Sequence, residues 1–279
     1  MTQVTVVGLG LMGATLARLL VAAGHEVTVW SQRLRLDSVP GAKVAGHLET
    51  AVAVCPVILI CIRDITAVRI LLDRPKVMPL LDARMVVNLS SGSPSDAQSL
   101  ADWLCGRGAS FLDGAIMNNP AQMGLPGSRI LLAGDAGTQT AVAAILSSLA
   151  EDIRNVGPSF RAAKAMYQAF EMTFFGHLAA ALHAADICLS EGIDLTHLHA
   201  LHSKDPTHQG FIQTLIDGHF RTSDITLETW ASDLALIRKQ AVETGISSTF
   251  PDLLAVYFDR AIAAGYGQDD VMAIWNTLT

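Results

Sequence analysis

The chain has 279 residues, a net charge of −7, and 51% hydrophobic against 16% charged residues. That length supports two domains with sizeable cores, the low charge argues against disorder, and the lack of a basic block argues against a nucleic-acid role. No signal peptide is expected, because a strand begins almost at once at Val4, and no apolar run is read as reaching the ~18–20 residues that span a bilayer, so no membrane role is expected either.

In chain order, residues 1–155 alternate β-branched runs with helical patterns. The runs are "VTVVG", "EVTVW", "PVILICI", "RMVVNLS", "ASFLDG" and "SRILLAG". Strands separated by helices predict an α/β unit with a doubly wound parallel sheet. Gly157 and Pro158 punctuate the chain, which sets the expected boundary: residues 1–157, then 158–279. From Phe160 to about Glu191 the sequence reads as one long connecting helix rich in Ala, Phe and Leu. The remainder reads as an all-α domain, with breaks at "DPTHQG", "TSD" and "TGISS". The four cysteines, Cys55, Cys61, Cys105 and Cys188, form no CxxC pair and are read as buried free thiols of a cytoplasmic protein. Low charge in so apolar a chain also points to a buried subunit interface.

The first strand runs into Gly8, Leu9, Gly10, Leu11, Met12 and Gly13, which fit G-x-G-x-x-G. A strand before the motif, a helix after it and a second strand beyond make it informative: this is the dinucleotide-binding arrangement of a Rossmann domain. Gly8 permits the turn, Gly10 lets backbone approach a pyrophosphate, and Gly13 lets the helix pack closely. At the end of the second strand stand Trp30, Ser31, Gln32 and Arg33, with no carboxylate to hold an NAD ribose. Ser31 and Arg33 suit a 2′-phosphate instead, so NADP(H) is the expected cofactor, with Gln32 beside them. Two further strand ends are expected to line it: Cys61, Ile62 and Arg63, then Asn88 and Ser90. Asn88 is also a candidate to hold the ribose or the substrate, against the alternative of a turn residue bonded to its own backbone.

"GLGLMG", "DGAIMNNPAQMGLPGSRILLAGD" and "FPDLLAVYFDRAIAAGYGQDD" together resemble the β-hydroxyacid dehydrogenase superfamily, and within it the imine reductases and reductive aminases. The resemblance implies an NADPH-binding Rossmann domain, a long interdomain helix and a helical domain exchanged between the subunits of a homodimer. It also implies an active cleft between one subunit's Rossmann domain and the other's helical domain. The chain departs from the hydroxyacid enzymes at Met117, Asn118 and Asn119, where they carry Ser-Gly-Gly, and at Ser232, where they carry Lys. The position of a second aromatic hydroxyl found in imine reductases is Phe175.

Two proton carriers sit one helical turn apart, Lys164 and Tyr167. At about 100° per residue, Phe160, Ala163, Tyr167, Phe170, Phe174 and Leu178 form one stripe, expected to be buried. Arg161, Lys164, Gln168 and Glu171 form a polar stripe, where Lys164 is read as solvated or ion-paired and Glu171 as surface-facing. A lysine cation beside an iminium costs of order 4 kcal/mol at 4 Å in an effective dielectric near 20, whereas a phenol is neutral at pH 7 and able to donate. The expected activity is therefore NADPH-dependent reduction of C=N bonds in a cyclic imine or a carbonyl–amine adduct, with Tyr167 as proton donor and Asn88 beside it. Met117, Asn118, Phe170, Glu171, Phe174, Trp230 and Asp233 are the expected substrate lining. Two alternatives stand: a hydroxyacid or carbonyl reductase using Lys164, and a non-enzymatic NADP-binding protein. His197, His199, His202 and His208 raise the question of a metal, but with His199 and His202 only three residues apart and no Cys or carboxylate taken to match the spacing, none is expected.

Overall fold

In a computed structural model of the chain, residues 2–32, 39–221 and 225–278 are described. The chain divides into two compact units, Met1–Tyr167 and Gln168–Thr279.

The first unit is built on one eight-stranded sheet: β1 (Gln3–Val7), β2 (Glu26–Trp30), β3 (Lys43–Val44), β4 (Val57–Ile60), β5 (Met85–Asn88), β6 (Ser110–Ile116), β7 (Arg129–Gly134) and β8 (Asp152–Asn155), in the order β3-β2-β1-β4-β5-β6-β7-β8. Its helices are α1 (Leu11–Ala22), α2 (Leu48–Val54), α3 (Ile65–Leu72), α4 (Pro94–Cys105) and α5 (Ala136–Leu146). Strand residues alternate between faces. Val4, Val6, Leu59 and Val87 pack with Leu16 and Leu20 of α1 and Ile145 of α5. Val7, Ile58, Ile60 and Val86 pack with Val52 of α2, Val68 of α3 and Leu100 of α4. Both faces are thus covered, which is why β4 can read as an uninterrupted apolar VILI.

All six expected strands are present, and the sheet is parallel except where β6 meets β7, which run antiparallel. The doubly wound parallel sheet is thus as expected, with one antiparallel pair where the chain returns after β6 through a loop instead of a crossover helix. Two strands escaped the sequence. β3 has only two residues, both exposed, and β8 is the polar DIRN at the opposite edge.

The long helix, α6, is Ala162–Ser190. By length and composition alone it could cross a membrane, contrary to the sequence reading; its apolar side chains Phe175, Leu178, Leu182 and Ala185 nevertheless belong to the second unit's core. That unit continues with α7 (Leu195–Leu201), α8 (Pro206–Asp217), α9 (Leu227–Thr244) and α10 (Thr249–Ala261), whose Ile212, Ile237, Leu254 and Phe258 complete the core. The expected break at "DPTHQG" is narrower than the segment: Asp205 caps α8 and Pro206 begins it. Gly245, left-handed, closes α9 at "TGISS". The "TSD" segment, 222–224, lies outside the described residues.

The buried stripe of α6 is only partly the expected one: Ala163 and Leu178 are buried as expected, but other members are not. Lys164, Gln168, Glu171, Phe175, Leu178, Leu182 and Ala185 are buried, at alternating steps of three and four. Phe170, placed on the buried side by the wheel, is 55% exposed, and Tyr167 and Phe174 are half-buried. Lys164 is buried because it has partners there.

Candidate functional site

The glycine motif has the geometry its spacing predicts. Gly8 adopts φ +104°, and a Cβ there would fall 2.2 Å from the Cys61 carbonyl oxygen. A Cβ on Gly13 would fall 2.1 Å from the Gly8 carbonyl oxygen, so α1 rests against the turn that starts it. Gly10 differs: nothing lies within 4 Å of its missing Cβ, and as N-cap of α1 it gives the helix no side-chain cap. With no side-chain cap, the first-turn N–H groups of α1 suit an outside acceptor. These residues fit a dinucleotide pyrophosphate. Leu9 is buried, Met12 packs on the core, and Leu11 is exposed.

At the end of β2, Trp30 is buried, Ser31 half-buried and Gln32 exposed. Arg33 and Arg35 lie outside the described residues. Beyond β4, the Ile62 side chain lies against Gly8, and Arg63 is exposed and paired with Asp64 at 2.6 Å. Burial pushes the Cys61 thiol up to about 12, so it is a neutral lining group. The cysteines are free, but the uniform burial expected of them is not found: Cys55 is buried, Cys61 and Cys188 are half-buried, and Cys105 is exposed.

Beyond β5 the structure corrects two assignments. Asn88 is fully buried; its Nδ2 donates to Asp113 Oδ1 at 2.8 Å, and its Oδ1 accepts from Ser90 N at 3.1 Å. Its amide is engaged on both sides, so it offers no free group to a ribose or substrate. Ser90 is also buried, and its Oγ accepts from Ile62 N at 3.1 Å, tying the β4 and β5 loops together.

Lys164 corrects a third. Only 3% exposed, it donates from Nζ to the carbonyls of Ser90 at 2.8 Å and Gly114 at 2.5 Å, and lies 3.6 Å from Asp113 Oδ2. It is ion-paired, as one expectation allowed, but not on a solvated face. A buried ammonium is tolerated only when paired and hydrogen-bonded, and Ser90 beyond β5 with Asp113 and Gly114 within β6 provides both. Asp113 is the residue that sequence reasoning missed; its signal was a carboxylate inside the apolar strand "FLDGAI". Burial dominates its titration and raises its pKa to about 6, with Lys164 and Asn88 opposing the rise.

One turn beyond Lys164, Tyr167 packs with Met117 on the small patch of Ala115, Leu131, Ala133 and Ala163. Asn118 accepts from Arg129 N at 2.7 Å, an interaction that fixes its loop. In the second unit, Phe174 stacks on Trp230 with ring centroids 4.5 Å apart, and both line a cavity of about 770 Å³ with Phe211, Asp270 and Met272. Asp233 is half-buried on α9, Phe170 is exposed, and Glu171 is buried, not surface-facing as expected. The histidine segment also needs revision, because Asp205 stands three residues from both His202 and His208.

Two outcomes follow. Gly10→Ala should leave thermal stability nearly unchanged but weaken dinucleotide binding, while Gly13→Ala should lower stability through its collision with Gly8; equal stability loss in both contradicts the cradle. For Asp113, the folded pKa near 6 exceeds the unfolded value near 4. The folded state therefore binds more protons between those values, and this group's contribution to stability falls as pH rises from about 4 to about 6. Asp113→Asn should flatten that part of the profile, measured by urea unfolding at a series of pH values; an unchanged slope contradicts the assignment.

Residues 3–157 match the family described as the NAD binding domain of 6-phosphogluconate dehydrogenase, and residues 160–279 match the NADPH-dependent reductive aminase-like C-terminal domain. An NADPH-dependent reductive aminase of Aspergillus oryzae is 25% identical over 98% of this chain and 95% of its own length. An imine reductase from Myxococcus stipitatus, solved in complex with NADP+, is 27% identical over 99% of this chain and 100% of its own, with a TM-score of 0.67. A Mycobacterium tuberculosis 3-hydroxyisobutyrate dehydrogenase, 19% identical over 100% and 99% of the two chains with a TM-score of 0.88, shares the fold. With its glycine cradle and these two domains, the chain belongs to the imine reductase branch of the β-hydroxyacid dehydrogenase superfamily and is an NAD(P)-dependent oxidoreductase.

Proposed function

We propose that the protein reduces C=N bonds of cyclic imines or carbonyl–amine adducts with NADPH, and that Tyr167 donates the proton. The observation that carries this reading is the burial and bonding of Lys164. The Lys164 ammonium is committed to Ser90, Gly114 and Asp113 in a buried site, while Tyr167 remains half-buried beside Met117. Bound at the cradle of Gly8, Gly10 and Gly13, a reduced nicotinamide nucleotide would supply hydride to the imine carbon. Tyr167 would hold its hydroxyl toward the nitrogen, and the apolar patch around it would keep water from competing. The hydroxyacid alternative needs Lys164 as a free acid–base group, and its present bonds oppose that. The relatives' names add support, as does the C-terminal match over residues 160–279. A homodimer belongs to the same reading, supported by exposed apolar side chains of the second unit such as Ile187, Val242, Ile246 and Val256.

Tyr167→Phe should lower imine reduction at saturating NADPH by about 10²–10⁴-fold while leaving cofactor affinity intact; full turnover would contradict the role. Lys164→Ala is a poor control, since removing one partner of a buried pair costs about 3–5 kcal/mol of stability. The activity itself is read as NADPH consumption with a simple cyclic imine, against none with 3-keto acids.

Cofactor choice is a separate expectation. Ser31 and Arg33 should favour NADPH over NADH by about 10- to 100-fold. Arg33→Ala should remove most of that preference with little change in NADH affinity, measured by cofactor titration. Equal affinities in the unmutated protein contradict it.

A further inference from the structure

We infer that His202, Asp205 and His208, at the turn between α7 and α8, form a binding site for a zinc-class divalent cation. One ligand atom from each of the three lies within 4.8 Å of the others. A tetrahedral ion with ligands at about 2.1 Å holds them about 3.4 Å apart, so modest side-chain rotation closes the set. Two imidazoles and one carboxylate are donors that suit a borderline ion such as Zn²⁺ better than Mg²⁺ or Ca²⁺.

The local chain fixes these groups independently of any ion. His202 ends α7, and Asp205 caps α8, its Oδ1 accepting from Thr207 N and His208 N at 3.2 Å each. That bond orients the carboxylate so that Oδ2 meets His208 Nδ1 at 2.7 Å. The rings of His202 and His208 lie face to face, 4.9 Å apart and 16° from parallel. A third ring, His177 of α6, lies 4.7 Å from His208 and is a candidate for the fourth position. No described residue makes a hydrogen bond to the ring nitrogens of His202 or His177. Binding would displace the proton held between His208 and Asp205, as metal binding at imidazoles generally does.

The site lies wholly in the second unit, away from the glycine cradle in sequence, and is independent of the proposed reaction. Zinc binding should therefore raise the thermal midpoint of the full chain as its concentration passes the dissociation constant. Calorimetric titration of the metal-stripped full-length protein with Zn²⁺ should give one saturable equivalent. His208→Gln and Asp205→Asn should each weaken it at least about tenfold; the latter keeps an oxygen to cap α8 and so guards against loss of the fold, which circular dichroism monitors. His219→Gln should leave binding unchanged. No saturable binding below about 100 μM, unchanged affinity in His208→Gln or Asp205→Asn, or loss of binding in His219→Gln would overturn the site.

Discussion

An ammonium removed from water must be paired and hydrogen-bonded to be tolerated, and the first unit is organised where Lys164 meets that condition. Its Nζ reaches the Ser90 carbonyl beyond β5, the Gly114 carbonyl in β6 and the Asp113 carboxylate between them. Asn88 holds the other side of Asp113, and Ser90 holds Ile62 beyond β4. The ends of three strands and the first turn of α6 are thereby joined. This join also fixes the first turn of α6. With Lys164 turned inward, Tyr167 falls at the edge of the patch shared with Met117, and Phe170 falls outside.

The glycine turn is the complementary constraint, one of space instead of charge. Gly8 and Gly13 have no room for a side chain, while Gly10 has room that it leaves open. Two glycines thus make the fold possible and the third keeps the α1 N-terminus accessible. The motif and the lysine network stand at the carboxyl ends of strands of one sheet, where open α/β folds place their ligands.

Most of the sheet was legible because strands buried on both faces must be apolar throughout. β3 and β8 were not, since an edge strand of two residues or of DIRN carries no such mark. The antiparallel β6–β7 pair was hidden because periodicity gives strand existence and not direction. The register of α6 failed for a physical reason: a helical wheel sorts residues by polarity, and polarity misleads when a buried carboxylate offers a charge a partner. Asp113 lies about fifty residues before Lys164, so no local pattern joins them. Asn88 was legible either as a ligand or as a turn residue bonded to nearby backbone; its bond from Ser90 N fits the second, while its other partner, Asp113, is distant in sequence. The glycine turn was legible because the steric constraints on Gly8 and Gly13 are local to that one turn. Asp205 was legible at its spacing from His202 and His208, but capping, which also uses an Asp before a Pro, concealed it.

The network requires Lys164 to be buried and bonded in the folded protein. Brief labelling of the native chain with an amine-reactive reagent, followed by peptide mass spectrometry, tests this directly. Lys43, Lys76, Lys204 and Lys239 are accessible and should label readily, whereas Lys164 should react only after unfolding. Labelling of Lys164 in the native protein at the rate of Lys43 would contradict the network and restore it as a proton carrier.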